Sequence, residues 1–194
     1  MRAILSFILL VMLGFIIPWQ NVSAANPEWK ENTHLLPQYC KDRAKGGQSP
    51  QFRKWRKTLG NVFIHMHHYC AGLFAKTKAQ TTSDQSARDH WLRQLAGQMQ
   101  YVSGPCKPGC VLYPELHSHW GWALVKQGQL GEAIKHYQLA IRNKTTFTRA
   151  YAELSDSYVE YNQPDEARKV LEAGLKASPK SRRLQRRLDK LQTP

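Results

Sequence analysis

Trp120-Gly-Trp-Ala-Leu124-Val-Lys-Gln-Gly128-Gln-Leu130-Gly-Glu-Ala133-Ile-Lys-His-Tyr137-Gln-Leu-Ala140 is the stretch that decides how this chain is built, because its marks return further along at a fixed distance. Residues 114–147 and 148–181 carry one pattern with a period of 34 residues. The first holds Trp120-Gly121, Leu124, Gly128, Ala133, Tyr137 and Ala140; the second holds Tyr151, Leu154, Tyr158, Ala167, Leu171, Gly174 and Pro179. A period of this size implies a solenoid, in which each unit leaves a hydrophobic face that only its neighbour can cover. Two units bury too little alone, about three being the working minimum, so the flanks are expected to extend the array. Downstream, Leu184, Leu188 and Leu191 fall at i, i+4 and i+7, with Arg182, Arg183, Arg186 and Arg187 on the remaining faces. That spacing predicts a basic capping helix and tail over 182–194.

The repeated pattern resembles the tetratricopeptide repeat, a helix-turn-helix unit of the same length. The resemblance implies an all-α fold: an α-solenoid of helix-turn-helix repeats in which small residues at Gly121 and Ala133 let the two helices approach, while Leu124, Leu130 and Tyr137 fill the space around them. The second repeat departs from the pattern at three places. Ser155 stands for the small Gly, Asn162 takes the place of the turn glycine and can also adopt positive φ, and Gly174 sits where Ala is usual. Upstream, His68-Tyr-Cys-Ala-Gly72-Leu-Phe-Ala75 can be laid on His117-Ser-His-Trp-Gly121-Trp-Ala-Leu124, which predicts a degenerate hairpin over 60–110. Its second helix is expected around Ser86 to Val102, with Trp91, Leu92, Leu95, Ala96 and Met99 apolar, and its offset from the next repeat is 49 residues instead of 34.

The amino terminus reads as a targeting segment. Arg2 is a basic start, Ala3 to Ile17 is a nearly unbroken apolar run, and Val22-Ser-Ala24 or Ser23-Ala-Ala25 offers a small-residue cleavage site. This predicts a secretory signal peptide over 1–24, followed by an extension over 25–59. The run is short for a membrane span and is followed by Pro18, Gln20 and Asn21, and no later stretch is apolar enough to cross a bilayer. The mature chain is therefore expected to be exported across the inner membrane, to carry no integral span after cleavage, and to reside in the periplasm.

Export makes the cysteines informative. Cys40, Cys70, Cys106 and Cys110 allow three pairings. The favoured one joins Cys40 to Cys70, stapling the amino-terminal segment to the first repeat-like helix, and Cys106 to Cys110, across a Pro-Gly turn. A redox role for Cys106 and Cys110 is disfavoured, since their spacing is C-x3-C and no βαβ pattern surrounds them. Charge adds a further constraint. The chain has 28 Lys and Arg against 14 Asp and Glu, a net charge of +14. A basic exported protein is expected to meet anionic envelope polymer or an acidic protein and not nucleic acid.

The densest group of reactive side chains is His65-Met66-His67-His68-Tyr69-Cys70. His65 and His68, at i and i+3, could begin a metal site, but zinc takes three or four ligands and the sequence names no obvious third, although His34, His117 or His119 could approach in the fold. Packing between helices is the preferred reading, and neither a metal nor another cofactor is expected. Leu36-Pro37-Gln-Tyr39-Cys40, Trp55, Gly60 and His65-Met-His-His-Tyr-Cys70-Ala-Gly72-Leu73 resemble the amino-terminal module of a group of exported bacterial tetratricopeptide-repeat proteins. No activity transfers with that resemblance. The chain has no serine nucleophile motif, no glycine-rich phosphate loop and no tuned carboxylate pair, so an enzyme is not expected.

Resemblance to tetratricopeptide proteins implies instead that the first helix of each repeat lines a concave groove that receives a peptide or a partner helix. With repeats starting at 65, 114 and 148, the groove-facing side chains are expected to include Tyr69, Leu73 and Lys76; Glu115, Ser118, Trp122, Val125 and Lys126; and Arg149, Asp156 and Glu160. Tyr69, Leu73, Trp122 and Val125 would form an apolar and aromatic floor, with Lys76, Lys126 and Arg149 at its margin. Family members that clamp a terminal carboxylate use Lys and Asn at set positions, two of which hold Ser118 and Trp122 here, so that specialised function is not implied.

Overall fold

The computed structural model describes residues 28–47 and 50–192. The expected signal peptide, 1–24, and the first residues of the extension lie outside the described residues. Within them the fold is all-α, with no strand. Ten helices run in order: α1 Glu28–Glu31, α2 Gln38–Lys45, α3 Pro50–Leu59, α4 Met66–Thr81, α5 Gln85–Ser103, α6 Tyr113–Lys126, α7 Leu130–Asn143, α8 Thr148–Glu160, α9 Pro164–Ala177 and α10 Arg182–Gln192, with 3-10 turns at Thr33–Leu35 and Gly60–His65.

Local chemistry sets the boundaries. Asp84 caps α5 by accepting a 2.6 Å hydrogen bond from the Ala87 amide. Pro50 and Pro164 open α3 and α9, where a missing N–H costs nothing. The turns after α6 and α8 need left-handed backbone, which Gly128 (φ 79°) and Asn162 (φ 56°) supply.

Packing follows the hairpin rule. α4 packs on α5, α6 on α7 and α8 on α9, while α4, α6, α8 and α10 succeed one another along one side of the stack. The close approach inside the first two pairs is made at glycine. A Cβ on Gly121 would lie 3.0 Å from the Tyr137 ring, and one on Gly72 would lie 2.3 Å from Met99 Cε. Gly72 and Gly121 thus play one role in two hairpins, as the alignment of His68–Ala75 on His117–Leu124 implies; in the next hairpin Ser155 holds the equivalent place, buried. The first hairpin has a longer second helix, 19 residues in α5 against 14 in α7, and a loop at 104–112 that stretches its offset. α10 begins one period after α8 and acts as a further first helix, seating Leu184, Leu188 and Leu191 against α8 and α9.

Three hydrophobic clusters run along the stack. The largest joins Trp29, Leu36 and Cys40 of the extension to Phe63, Met66, Tyr69, Phe74, Leu95, Met99 and Leu116. The extension is therefore part of the first hairpin's core. Cys40 is bonded to Cys70 with Cα atoms 5.6 Å apart, and Cys106 to Cys110 with Cα atoms 5.3 Å apart. The second bridge closes around a turn in which the Cys110 amide bonds the Lys107 carbonyl and Gly109 has φ 92°.

Candidate partner-binding groove

The first helices meet around a cavity of about 610 Å³ lined by Leu73, Lys76, Thr77 and Gln80 of α4, Glu115 and His119 of α6, Arg149 and Glu153 of α8, and Leu35, Leu36, Pro37 and Tyr39 of the extension. Period explains the convergence. Glu115 and His119 are one helical turn apart on α6, Arg149 and Glu153 are one turn apart on α8, and each residue of the second pair lies one repeat after its counterpart in the first.

Lys76 stands at the centre. Its Nζ is 3.1 Å from His119 Nδ1, 3.9 Å from Glu153 Oε1 and 4.7 Å from the centroid of the Trp122 ring. An ammonium only donates, so His119 Nδ1 accepts and the ring is neutral with its proton on Nε2. Burial, reinforced by Lys76 and Arg149, holds the His119 pKa well below its usual value. Burial lowers the Lys76 pKa while Glu153 opposes it, and burial raises the Glu153 pKa against Lys76 and the 2.7 Å hydrogen bond that Ser118 Oγ donates. Burial dominates all three shifts. Tyr69 donates to Glu115 Oε2 at 3.4 Å, and burial with the Glu115 charge moves the neighbouring Tyr39 phenol to about 12. The cavity thus offers two cations and two carboxylates among Leu35, Leu36, Pro37 and Leu73, a surface suited to a chain segment with both polar and apolar groups.

Leu73, Lys76, Glu115 and Arg149, expected in the groove, line the cavity. Tyr69, Ser118 and Val125 do not present a surface: they are buried, because the extension covers α4 and because α6 and α8 press together over Ser118. Trp122 is half-buried beneath Lys76. The other expected residues are engaged further along: Lys126 pairs with Glu160 at 2.6 Å, one repeat on, and Asp156 takes a two-pronged bond from Arg187 of α10, both arms 2.8 Å. His119, Glu153 and the Leu35–Tyr39 segment were not expected there. The i, i+4 relation of His119 to Glu115 and of Glu153 to Arg149 was the available signal for two of them; for the third it was the expected Cys40–Cys70 bridge, which ties the segment before Cys40 to α4.

His65 and His68 are not on one helix. His65 ends the 3-10 turn, while His68 in α4 is buried, bonds Gln98 Oε1 through Nδ1 at 2.7 Å and lies 3.8 Å from the Tyr101 ring centroid. Both rings face Tyr101. Among the described residues no group of three or more His, Cys, Asp or Glu is placed to hold a metal ion. No helix among them is long and apolar enough to cross a membrane.

Stacked hairpins around a shared concavity define a helical-repeat scaffold. Residues 124–191, from the last turn of α6 through α10, match the family model described as tetratricopeptide repeat. The match supports the tetratricopeptide-repeat family for this part of the chain and indicates a protein–protein interaction scaffold. No curated protein and no solved structure matches the chain.

Proposed function

We propose that this protein is an exported, non-catalytic scaffold of the bacterial envelope that binds a peptide or partner helix in the cavity between α4, α6 and α8. The observation that carries this reading is the convergence of Leu73, Lys76, Glu115, His119, Arg149 and Glu153 from three successive first helices onto one cavity. Partner binding in stacked repeats uses such concave surfaces. Apolar anchors and part-buried charges give such a cavity the means to bind tightly and selectively. The buried Ser118 hydroxyl holds Glu153 in place and does not meet solute. Export is supported by the amino-terminal signal pattern and fits the two disulfides, which persist in an oxidising compartment.

The test is site-specific photo-cross-linking in the native envelope from Gln80, exposed at the cavity rim, and from Glu172, exposed on α9. A discrete adduct from Gln80 that Glu172 does not give is expected. Equal capture from both positions, or capture from Glu172 alone, contradicts the reading. The basic face of α10, with Arg182, Arg183 and Arg186 exposed, supports a second reading as a binder of anionic polymer. That binding would weaken steeply with salt, whereas cavity binding through Leu73 and Leu36 would weaken little.

A further inference from the structure

The two edges of the stack differ in charge. In antiparallel hairpins each second helix ends where the next first helix begins, so the turn Gly60–His65 and the connections 104–112, 144–147 and 178–181 share one edge. The connections 82–84, 127–129 and 161–163 lie at the other. Ring contact agrees with this placement: Tyr101, near the end of α5, has its centroid 5.7 Å from that of His65, just before α4. The first edge is basic along its length. Lys107 stands in the connection after α5, Arg142 and Lys144 at the one after α7, and Lys180, Arg182 and Arg183 at the one after α9, all exposed. The helix α3, which leads into the turn Gly60–His65, adds exposed Arg56 and Lys57. No Asp or Glu stands in that turn or in the three connections, and none lies between Asp42 and Asp84. Glu115, in the first turn of α6, lines the groove, where Tyr69 donates to it.

Among the described residues, none of these edge cations has an ion-pair partner. At the other edge charge is balanced: Lys126 pairs with Glu160 at 2.6 Å, Lys135 with Glu132 at 2.6 Å and Lys169 with Glu166 at 2.7 Å. Helix dipoles do not account for the difference, since an antiparallel pair sets one amino and one carboxyl end at each edge. Apolar side chains join the basic edge. Five large hydrophobic side chains stay exposed among the described residues, and three of them are here: Ile64 at 51%, Tyr101 at 40% and Val111 at 57%. The other two, Leu35 and Val159, line cavities elsewhere. Val111 directly follows Cys110, whose bridge to Cys106 holds the loop in place.

We propose that this edge rests on an anionic lipid surface, its cations against the headgroup phosphates and Ile64, Tyr101 and Val111 entering the boundary between headgroups and acyl chains. Lysine and arginine are drawn to anionic headgroups, and apolar side chains beside them add burial to that attraction. A dissolved polyanion satisfies the cations but gives the apolar side chains nowhere to go, so the combination favours lipid. Lipid contact at this edge does not depend on what the groove between α4, α6 and α8 binds.

The test uses the oxidised full chain and vesicles of phosphatidylcholine, with and without an equal share of phosphatidylglycerol. Affinity, measured by vesicle sedimentation, is expected to rise at least tenfold with phosphatidylglycerol and to fall as salt is added. The apolar amino terminus contributes to both vesicles alike, so hydrogen exchange locates the contact: exchange should slow in 60–65, 104–112 and 144–147 and stay unchanged in 82–84, 127–129 and 161–163. Lys144→Glu/Lys180→Glu, at exposed positions, should weaken binding to phosphatidylglycerol vesicles at least tenfold. Lys135→Glu/Lys169→Glu changes the net charge equally at the other edge and should weaken it less than threefold. Ile64→Ser/Val111→Ser should weaken vesicle binding severalfold and leave binding of dextran sulfate, a soluble polyanion, unchanged. No gain from phosphatidylglycerol, slowed exchange at the other edge alone, equal losses in the two charge variants, or vesicle affinity unchanged in Ile64→Ser/Val111→Ser overturns the proposal.

Discussion

At the scale of single residues, the buried imidazoles make the sharpest demands. His117 and His136 meet Nδ1 to Nδ1 at 2.8 Å and stack with Trp120, an arrangement in which one neutral ring must accept from the other. Burial lowers both pKa values to about 4, the His117 value with a further contribution from His136 and the His136 value against the Glu132 charge. An unfolded histidine titrates near about 6.5, so the folded state binds protons less readily than the unfolded one. The stabilising contribution is complete above that pH and is lost as pH falls from about 6.5 towards 4. Thermal melts should therefore show lower stability at pH 5 than at pH 8, by on the order of 2 kcal/mol after allowing for partial exposure of His136. Glu153, whose pKa is raised, has the opposite sign, so the comparison must be made with the His117→Phe/His136→Phe variant, in which the loss should shrink. Glycine gives a second expectation. A Cβ at Gly174 would lie 2.7 Å from Leu184 Cδ1 and 2.8 Å from Tyr151 Cγ, so Gly174→Ala should cost about 1–3 kcal/mol in urea unfolding. Gly72→Ala should cost less than its 2.3 Å contact implies, because Met99 Cε is the tip of a flexible side chain.

At the scale of elements, what the sequence made legible follows the periodicity. The helices α6 to α10 were readable because Leu124, Tyr137, Leu154, Leu171 and Leu184 recur at positions that a repeating unit must bury. The helix α5 was readable from Leu92, Leu95 and Met99 within one continuous run. The extension was not, since α1 to α3 are short and their burial depends on a partner distant in sequence, such as Trp29 in the core with Phe74 and Met99. Cys40–Cys70 fixes that partner. It closes a separation of 30 residues, whereas Cys106–Cys110 closes 4. Replacing Cys40 and Cys70 with Ser should cost about 3–4 kcal/mol and raise hydrogen exchange across α2, while the same change at Cys106 and Cys110 should cost less, because a shorter loop constrains the unfolded chain less. At the other end Leu184 of α10, fully buried against α8 and α9, should cost about 2–5 kcal/mol when cut to Ala, measured by denaturant unfolding.

At the scale of the whole molecule, the stack does more than bury its hairpins. It brings the same turn of successive first helices to one concavity, where Glu115, His119, Arg149 and Glu153 meet Lys76, and it lets the extension close one wall with Leu35, Leu36, Pro37 and Tyr39. The repeat frame put Leu73, Lys76, Glu115 and Arg149 on one side of the first helices, and all four line the cavity. It did not foretell which of those faces the stacking angle and the extension would cover, and Tyr69, Ser118 and Val125 are covered for that reason. The most direct measurement selects peptides on the oxidised protein and determines the affinity of the best binder for the wild type, Lys76→Met, Arg149→Gln and the surface control Glu172→Gln. Binding in the cavity requires an affinity at least tenfold weaker in the first two variants and unchanged in the third, with little dependence on salt. Affinity that is the same in all four proteins, or that vanishes with moderate salt in each, would contradict a partner-binding groove between α4, α6 and α8.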